Sequence, residues 1–281
     1  MERRRFLLAL AAGLAGAALG RGTTGLVDPE PATGAAAPGP AGTPVPAARE
    51  VDLPTLTPVP PPTGVVSELP GPGPSLAITI DDGTNSEVVG SLTQFAADSG
   101  VRLTFFPNGV YSSWTDHAAA LAPLIESGQV AMGNHTWSHP DITTLTDEQV
   151  AEEIRRNQDF LRNTFGVHDS PFFRPPFGAH DARTDRIAAD VGHPTIAMWN
   201  GDLGDSRVVT AADLVAAADT AFTAQSIVLG HANQRAVTEA YEGFLALIAD
   251  RGLQTVTLAD VWATLDQRMR GAEATGRGST A

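Results

Sequence analysis

The feature that most restricts the fold is an alternation of short apolar runs and longer amphipathic stretches that begins after Pro74. Runs rich in β-branched and aromatic residues predict strands. Seven strands are predicted, at Leu76–Ile80, Arg102–Phe106, Gln129–Met132, Phe172–Arg174, Thr195–Trp199, Ile227–Leu229 and Gln254–Thr257. Seven helices are predicted, at Glu87–Asp98, Thr115–Ser127, Asp147–Phe165, Ala182–Asp190, Ala211–Phe222, Val237–Asp250 and Leu258–Met269.

Strictly alternating strands and helices are typical of βαβ units and an α/β fold with a parallel sheet. The alternation fits either a doubly wound open sheet or a barrel, and periodicity does not separate the two. We predict one folded domain over residues 75–270, followed by a flexible tail at 271–281.

Two segments precede this domain. Residues 1–22 have the pattern of an export signal, because Arg3–Arg5 precede an apolar run, Phe6–Leu19, that is short for a membrane span. The arginines followed by Phe6–Leu7 also resemble the twin-arginine pattern, with an ordinary basic signal as the alternative. Residues 23–74 are rich in Pro, Ala and Gly and lack hydrophobic periodicity, which predicts a disordered, semi-extended linker. We therefore expect an exported protein without a transmembrane segment in its mature form, although an uncleaved signal would anchor it.

Composition excludes several classes of function. The 281 residues carry a formal net charge of -14, which argues against a nucleic-acid partner because phosphates would not be neutralised. Cysteine is absent, so the chain has no disulfide, thiolate metal site or cysteine nucleophile. A metal ion would have to be bound by histidines and carboxylates.

Polar side chains follow the predicted strands, where a parallel α/β fold places its active site. They are Asp81 and Asp82 after the first strand, His135 and His139 after the third, Arg174 at the end of the fourth, Asp202 and Asp205 after the fifth, and His231 after the sixth. Parallel strands would bring these side chains to one face of the domain.

Two of these groups indicate a metal site. His135 and His139 are four residues apart, and on a helical turn both imidazoles would face one ion; two surface or capping histidines are the alternative. Adjacent carboxylates at Asp81 and Asp82 would repel each other unless a cation lies nearby, whereas a capping pair before Gly83 is the simpler interpretation. One carboxylate and two imidazoles would leave coordination positions open for water and substrate.

The remaining groups indicate acid–base chemistry. Arg174 lies in a Pro-Pro-Phe-Gly turn, where a rigidly held guanidinium would make a bidentate pair with a carboxylate; an ordinary surface arginine is the alternative. His231 follows a buried strand and is either a core histidine or a general acid. Asp202 or Asp205 would raise the pKa of His231 and keep it protonated at neutral pH.

In order and spacing, these segments resemble the motifs of the polysaccharide deacetylase family, the carbohydrate esterases with the nodulation-protein deacetylase homology domain. The matching segments are Thr79–Gly83, His135–His139, Arg174–Gly178, Trp199–Asp205 and Ile227–His231, so the resemblance covers roughly residues 75 to 265. It implies a distorted (β/α) barrel of about seven βα units. It also implies an acetylated polysaccharide as the substrate, and the export signal with the Pro-rich linker predicts a location outside the cell or at the cell wall.

The resemblance also implies a role for each matching residue. Asp82, His135 and His139 would bind one divalent metal ion, Zn²⁺ or else Co²⁺ or another ion. Asp81 would be the general base and His231 the general acid. The supporting residues would be Arg174, which positions Asp81; Asp205, which tunes His231; the backbone N–H of Phe177, which stabilises the oxyanion; and Leu229, which lines the acetate pocket.

The sequence departs from the family pattern at three places. Ile80 replaces a phenylalanine, Ser206 replaces a tryptophan of the acetyl pocket, and Ala232–Asn233 stand where an acidic residue is common. The leading hypothesis is removal of acetyl groups from a polymer that contains N-acetylglucosamine, with peptidoglycan favoured. An O-acetyl xylan esterase and a catalytically silent glycan-binding module are the alternatives.

Overall fold

The computed structural model describes residues 56–263. The predicted export signal, the linker as far as residue 55 and the tail at 271–281 lie outside the described residues. Within residues 56–263, no helix is both long enough and apolar enough to cross a membrane.

Every strand of the described chain pairs in parallel with its neighbours. The strands are β1 Gly64–Val66, β2 Ser75–Asp82, β3 Leu103–Pro107, β4 Val130–Met132, β5 Phe172–Phe173, β6 Thr195–Ala197, β7 Gly201–Asp202, β8 Ser226–His231 and β9 Gln254–Thr255. All seven predicted strands are present with small shifts of their ends. The two additional strands, β1 and β7, are only three and two residues long.

Most helices follow the prediction closely. The helices are α1 Ser86–Ser99, α2 Ser113–Asp116, α3 Ala118–Glu126, α4 Asp147–Phe165, α5 Ala182–Asp190, α6 Ala211–Ala221, α7 Tyr241–Asp250 and α8 Leu258–Val261. The single helix predicted over Thr115–Ser127 is wrong, because His117 leaves helical geometry and separates α2 from α3. The helix predicted from Val237 begins instead as a 3₁₀ turn, Arg235–Glu239. The helix predicted over Leu258–Met269 is too long, because Trp262 already has extended geometry; residues 264–270 lie outside the described residues.

Local capping explains why α4 begins and ends where the sequence predicts. The Thr146 hydroxyl accepts from the backbone N–H of Gln149, whose side chain accepts in return from the Thr146 N–H. At the other end Gly166 adopts a left-handed conformation and closes the last turn.

The strands form two sheets that together make a distorted barrel. The larger sheet has the order β4-β3-β2-β8-β7, with β9 also paired to β2, and the smaller has the order β1-β6-β5. A single bridge between Asn134 and Phe173 connects β4 to β5. Strand β2 is buried along all eight residues, as expected for the centre of a parallel sheet.

The register of the larger sheet positions the functional residues. Asp81 lies opposite Phe106 of β3 on one side and opposite His231 of β8 on the other. The carboxyl ends of parallel strands meet at one edge, so the polar residues that follow them converge there.

The predicted linker ends too late at residue 74. Strand β1 lies inside that range and pairs with β6, and Val59 pairs with Trp262. Three hydrogen bonds tie this segment to the β6 region: Gly64 N–H to the Pro194 carbonyl, Met198 N–H to the Val66 carbonyl, and the Thr195 hydroxyl to the Pro62 carbonyl. Strand β1 was not predicted because the segment is rich in proline and its pairing partners are distant in sequence.

We predict that a chain beginning at Ser67 is less stable than a chain beginning at Leu56. Besides the ladder between β1 and β6, the shorter chain loses the three bonds to the β6 region and two between Val59 and the segment Val261–Ala263. At about 0.5–1.5 kcal/mol for each bond, these five bonds alone should lower the free energy of unfolding by about 2.5–7.5 kcal/mol. The melting temperatures of the two truncated proteins measure this difference, and equal values would contradict a structural role for β1.

Candidate metal centre and acid–base groups

Asp82, His135 and His139 come together as a three-residue cluster. One donor atom from each lies within 4.8 Å of the others. Asp82 Oδ1 is 3.3 Å from Nε2 of His135 and 3.3 Å from Nε2 of His139. The structure therefore brings together the three residues that the sequence proposed as ligands.

The two histidines are not on a helical turn, as their spacing had predicted. The chain from Asn134 to Pro140 is a loop in which Thr136 and His139 have φ of 68° and 61°. Left-handed backbone costs a non-glycine residue about 1–3 kcal/mol and persists only where the surroundings fix it. The i, i+4 spacing predicted that the two imidazoles lie together, but they do so in a loop and not on a helical turn.

Three buried amides fix this loop, and none of them is among the predicted site residues. Asn108 Nδ2 donates to the carbonyls of His135 and Thr136 at 2.6 and 3.1 Å. Asn134 Oδ1 accepts from the Thr136 N–H and from Asn157 Nδ2. Asn157 was detectable, because an amide on the apolar face of α4 breaks an otherwise hydrophobic pattern.

The hydrogen bond of His135 shows which nitrogen is available to a metal ion. Its Nδ1 lies 2.7 Å from the Arg174 carbonyl, which can only accept, so Nδ1 carries a proton. In the neutral ring, the lone pair of Nε2 then faces Asp82 Oδ1, a buried oxygen that accepts no hydrogen bond. A lone pair facing a carboxylate oxygen is unfavourable unless a cation lies between them, so these residues fit a divalent ion.

The pKa values of this cluster reflect the same arrangement. Burial alone would lower the pKa of His135, but the nearby Asp81 and Asp82 carboxylates raise it. Burial would raise the pKa of Asp82, but the two imidazoles and the Asn233 amide lower it far below its ordinary range. Asp82 is therefore ionised at neutral pH, as a metal ligand must be.

Arg174 positions the second carboxylate, Asp81. The guanidinium is fully buried, and its Nη1 donates to Asp81 Oδ1 at 2.9 Å and to Thr79 Oγ1 at 2.6 Å. The predicted bidentate pair is wrong, because Nε donates to the Ala197 carbonyl and Nη2 to the Met198 carbonyl. Asp81 Oδ2 is left facing the metal cluster, 3.7 Å from His135 Nε2.

His231 pairs with Asp205, and Asp202 does not take this role. His231 Nδ1 is 2.6 Å from Asp205 Oδ1, and the His231 N–H donates to Asp205 Oδ2. Asp202 instead caps the following turn, where its Oδ1 accepts from the Gly204 N–H. Burial alone would lower the pKa of His231, but the hydrogen bond and charge of Asp205, with Asp81 and Asp82, raise it to about 9.

Phe177 is exposed beside the cluster, whereas Leu229 is buried in the larger sheet. Phe177 is 70% exposed and has φ of 60°, and its ring stands edge-on to His139 with 4.5 Å between centroids. Leu229 is buried on β8, in register with Thr79 of β2. Ser206, at the position of the expected tryptophan, is exposed.

The fold and the site together define an α/β barrel with an Asp-His-His cluster that could hold a metal ion, accompanied by the buried Asp81 carboxylate and by a histidine paired with Asp205. Residues 68–196 match the sequence model of the polysaccharide deacetylase family. This match agrees with the family resemblance of the sequence motifs and covers 129 of the 281 residues.

Proteins with similar sequences are named as deacetylases of peptidoglycan N-acetylglucosamine or of chitin. The peptidoglycan-N-acetylglucosamine deacetylase PgdA of Listeria monocytogenes is 27% identical over 192 residues, which are 66% of this chain and 38% of that protein. Chitin deacetylase 3 of Cryptococcus neoformans is 30% identical over 160 residues, 56% of this chain and 38% of that protein. The chain thus spans about two fifths of the length of these relatives.

A solved structure supports the fold without deciding the activity. A pseudoenzyme of the CE4 family from Bacillus anthracis superposes with a TM-score of 0.63 at 18% identity, covering 71% of this chain and 69% of its own. Because this neighbour is described as a pseudoenzyme, a shared fold does not establish catalysis. The activity must be argued from the residues of the site.

We predict that Asp205→Asn lowers the pKa of His231 in the metal-free protein from about 9, because burial is then opposed only by the more distant charges of Asp81 and Asp82. Stabilisation by the charged pair is complete below the unfolded-state value of about 6.5 and is lost as pH rises through about 9. NMR titration of the His231 ring measures the pKa. Asp202→Asn is the matched control and should leave it unchanged; a similar shift in both variants would contradict the assignment.

Proposed function

We propose that this protein is a metal-dependent deacetylase that hydrolyses acetyl groups from a polysaccharide containing N-acetylglucosamine, with peptidoglycan as the favoured substrate. One observation carries the proposal: the donor atoms of Asp82, His135 and His139 lie within 4.8 Å of one another, beside a second carboxylate on Asp81. A glycan-binding module has no need for this cluster.

The choice of substrate rests on the relatives and on the N-terminal sequence. The relatives are named for deacetylation of peptidoglycan N-acetylglucosamine and of chitin, both polymers of acetylated amino sugar. We propose that residues 1–22 direct export and that the protein acts outside the cell, where residues 23–55 would separate the catalytic domain from an attachment point. This location favours peptidoglycan over chitin.

Asp82, His135 and His139 would hold the metal ion, and the imidazole and carboxylate donors suit Zn²⁺, with Co²⁺ as a substitute. When bound, the ion would polarise the acetyl carbonyl and make a nearby water more acidic. Asp81 accepts the proton of the attacking water. It can do so through Oδ2, because Arg174 occupies Oδ1 and keeps the carboxylate oriented.

His231 supplies the proton to the leaving nitrogen. Its Nδ1–H is directed to Asp205, which fixes the ring and leaves Nε2–H as the donor of the charged imidazole. A pKa of about 9 keeps this proton in place at neutral pH. The backbone N–H of Phe177 would donate to the developing oxyanion, and Leu229 would form an apolar wall for the acetyl methyl group.

The first experiment is acetate release by chelator-stripped protein, with and without added Zn²⁺ or Co²⁺. The substrates are peptidoglycan, N-acetylglucosamine oligomers and acetylated xylan. We expect metal to restore release from the two amide substrates. Release from xylan alone would favour the O-acetyl esterase, and tight oligosaccharide binding without release from any substrate would favour the silent binding module.

We predict that His231→Asn reduces amide hydrolysis by about 10²- to 10⁴-fold, the range typical of general acid catalysis. An activated acetyl ester should lose much less, because its leaving group departs without a proton. Steady-state rates on an N-acetylglucosamine oligomer and on an aryl acetate, each with saturating metal, test the difference. Equal losses on the two substrates would contradict the role of His231.

A further inference from the structure

We propose that Asn233 is a positioning residue that restricts Asp82 to one metal-facing oxygen and links this ligand to the loop of the general acid. The inference rests on the proposed function, because it assumes that Asp82 binds a metal ion. Asn233 Nδ2 donates to Asp82 Oδ2 at 2.7 Å. The other oxygen, Oδ1, is the one that faces both imidazoles.

The orientation of the Asn233 amide follows from its other contacts. Its Oδ1 lies 3.0 Å from the Thr84 backbone nitrogen and 2.7 Å from the Thr84 hydroxyl. A backbone N–H can only donate, so this side of the amide must be the oxygen. The NH₂ group is therefore directed at Asp82, and a flipped amide would lose both interactions.

Asp82 needs such a restraint because its backbone is in a left-handed conformation, with φ of 70°. Its carbonyl is fixed by the Trp114 indole N–H at 2.8 Å and by the Asn108 N–H at 3.1 Å. These contacts hold the main chain but leave the carboxylate free to rotate. Among the described residues, Asn233 makes the hydrogen bond that fixes the rotation.

Asn233 also joins two loops that carry different parts of the reaction. It follows His231 by two residues, while Asp82 ends β2 and Thr84 belongs to the loop that follows. Backbone bonds from the Ala232 N–H to the Asp81 carbonyl and from the Asn85 N–H to the Ala232 carbonyl run alongside. Asn233, which lies where an acidic residue is common in the family, thus donates a hydrogen bond to the proposed metal ligand Asp82.

The test measures metal binding directly, so that it does not depend on activity. Chelator-stripped full-length protein is titrated with Zn²⁺ and with Co²⁺ against a competing chelator, and the visible spectrum of bound Co²⁺ reports the ligand geometry. We expect Asn233→Ala and Asn233→Asp to weaken binding by about 10- to 100-fold and to change the Co²⁺ spectrum. The Asp variant keeps the side-chain shape but replaces the donor with an acceptor.

Two further variants separate this role from general loosening of the loop. Thr84→Val removes a hydroxyl bond to Asn233 and keeps the bond from Asn233 to Asp82, so it should weaken binding far less. Asn163→Ala, at an exposed position of α4, is the matched control for loss of an amide.

Each outcome decides between the two proposals. Unchanged affinity in both Asn233 variants, or an equal loss in Thr84→Val, would overturn the role of Asn233 and leave the proposed function standing. Tighter binding by the Asp variant would show that added charge outweighs the donor and would also overturn it. Failure of the unaltered protein to bind either metal would instead overturn the proposed function.

Discussion

The structure depends on one buried guanidinium, that of Arg174. It joins the two sheets, because it follows β5, donates to the Ala197 carbonyl of β6 and reaches Thr79 and Asp81 of β2. The rings of Phe106 and Trp199 lie within 4.3 and 5.5 Å of it. A buried charge is tolerated only with a partner and satisfied donors, and here the same contacts that satisfy the charge orient a carboxylate. The Arg174 main chain contributes as well, because its carbonyl fixes the tautomer of His135.

This arrangement gives two neighbouring carboxylates different chemistry. Asp81 is held by the Arg174 guanidinium and keeps its other oxygen toward the cluster. Asp82 has a positive φ and is surrounded by two imidazoles and an amide. Both carboxylates are buried, so bulk water does not make their electrostatic surroundings alike. Identical side chains therefore have different surroundings because their partners come from different parts of the chain.

The sequence predicted the elements and the grouping of the site residues better than their geometry. Seven strands and α4 were found because hydrophobic periodicity and capping act over a few residues, and the parallel arrangement then brought the strand ends together. Strand β1 was missed because its partner β6 is more than a hundred residues away. The loop of His135 and His139 and the single bond of Arg174 to Asp81 depend on buried contacts with Asn108, Asn134 and the β6 carbonyls, which local pattern does not contain.

Left-handed backbone at residues other than glycine is concentrated in the site. Within residues 56–263 such residues are Asp82, Thr136, His139, Phe177 and Gln225, and the first four surround the cluster. Replacing Thr136 by glycine would remove the cost of its positive φ and stabilise the fold, but it would also let the neighbouring His135 imidazole move. Selection for heat resistance would therefore act against the geometry of the site. The residues that limit the stability of this domain and those that shape its chemistry are largely the same.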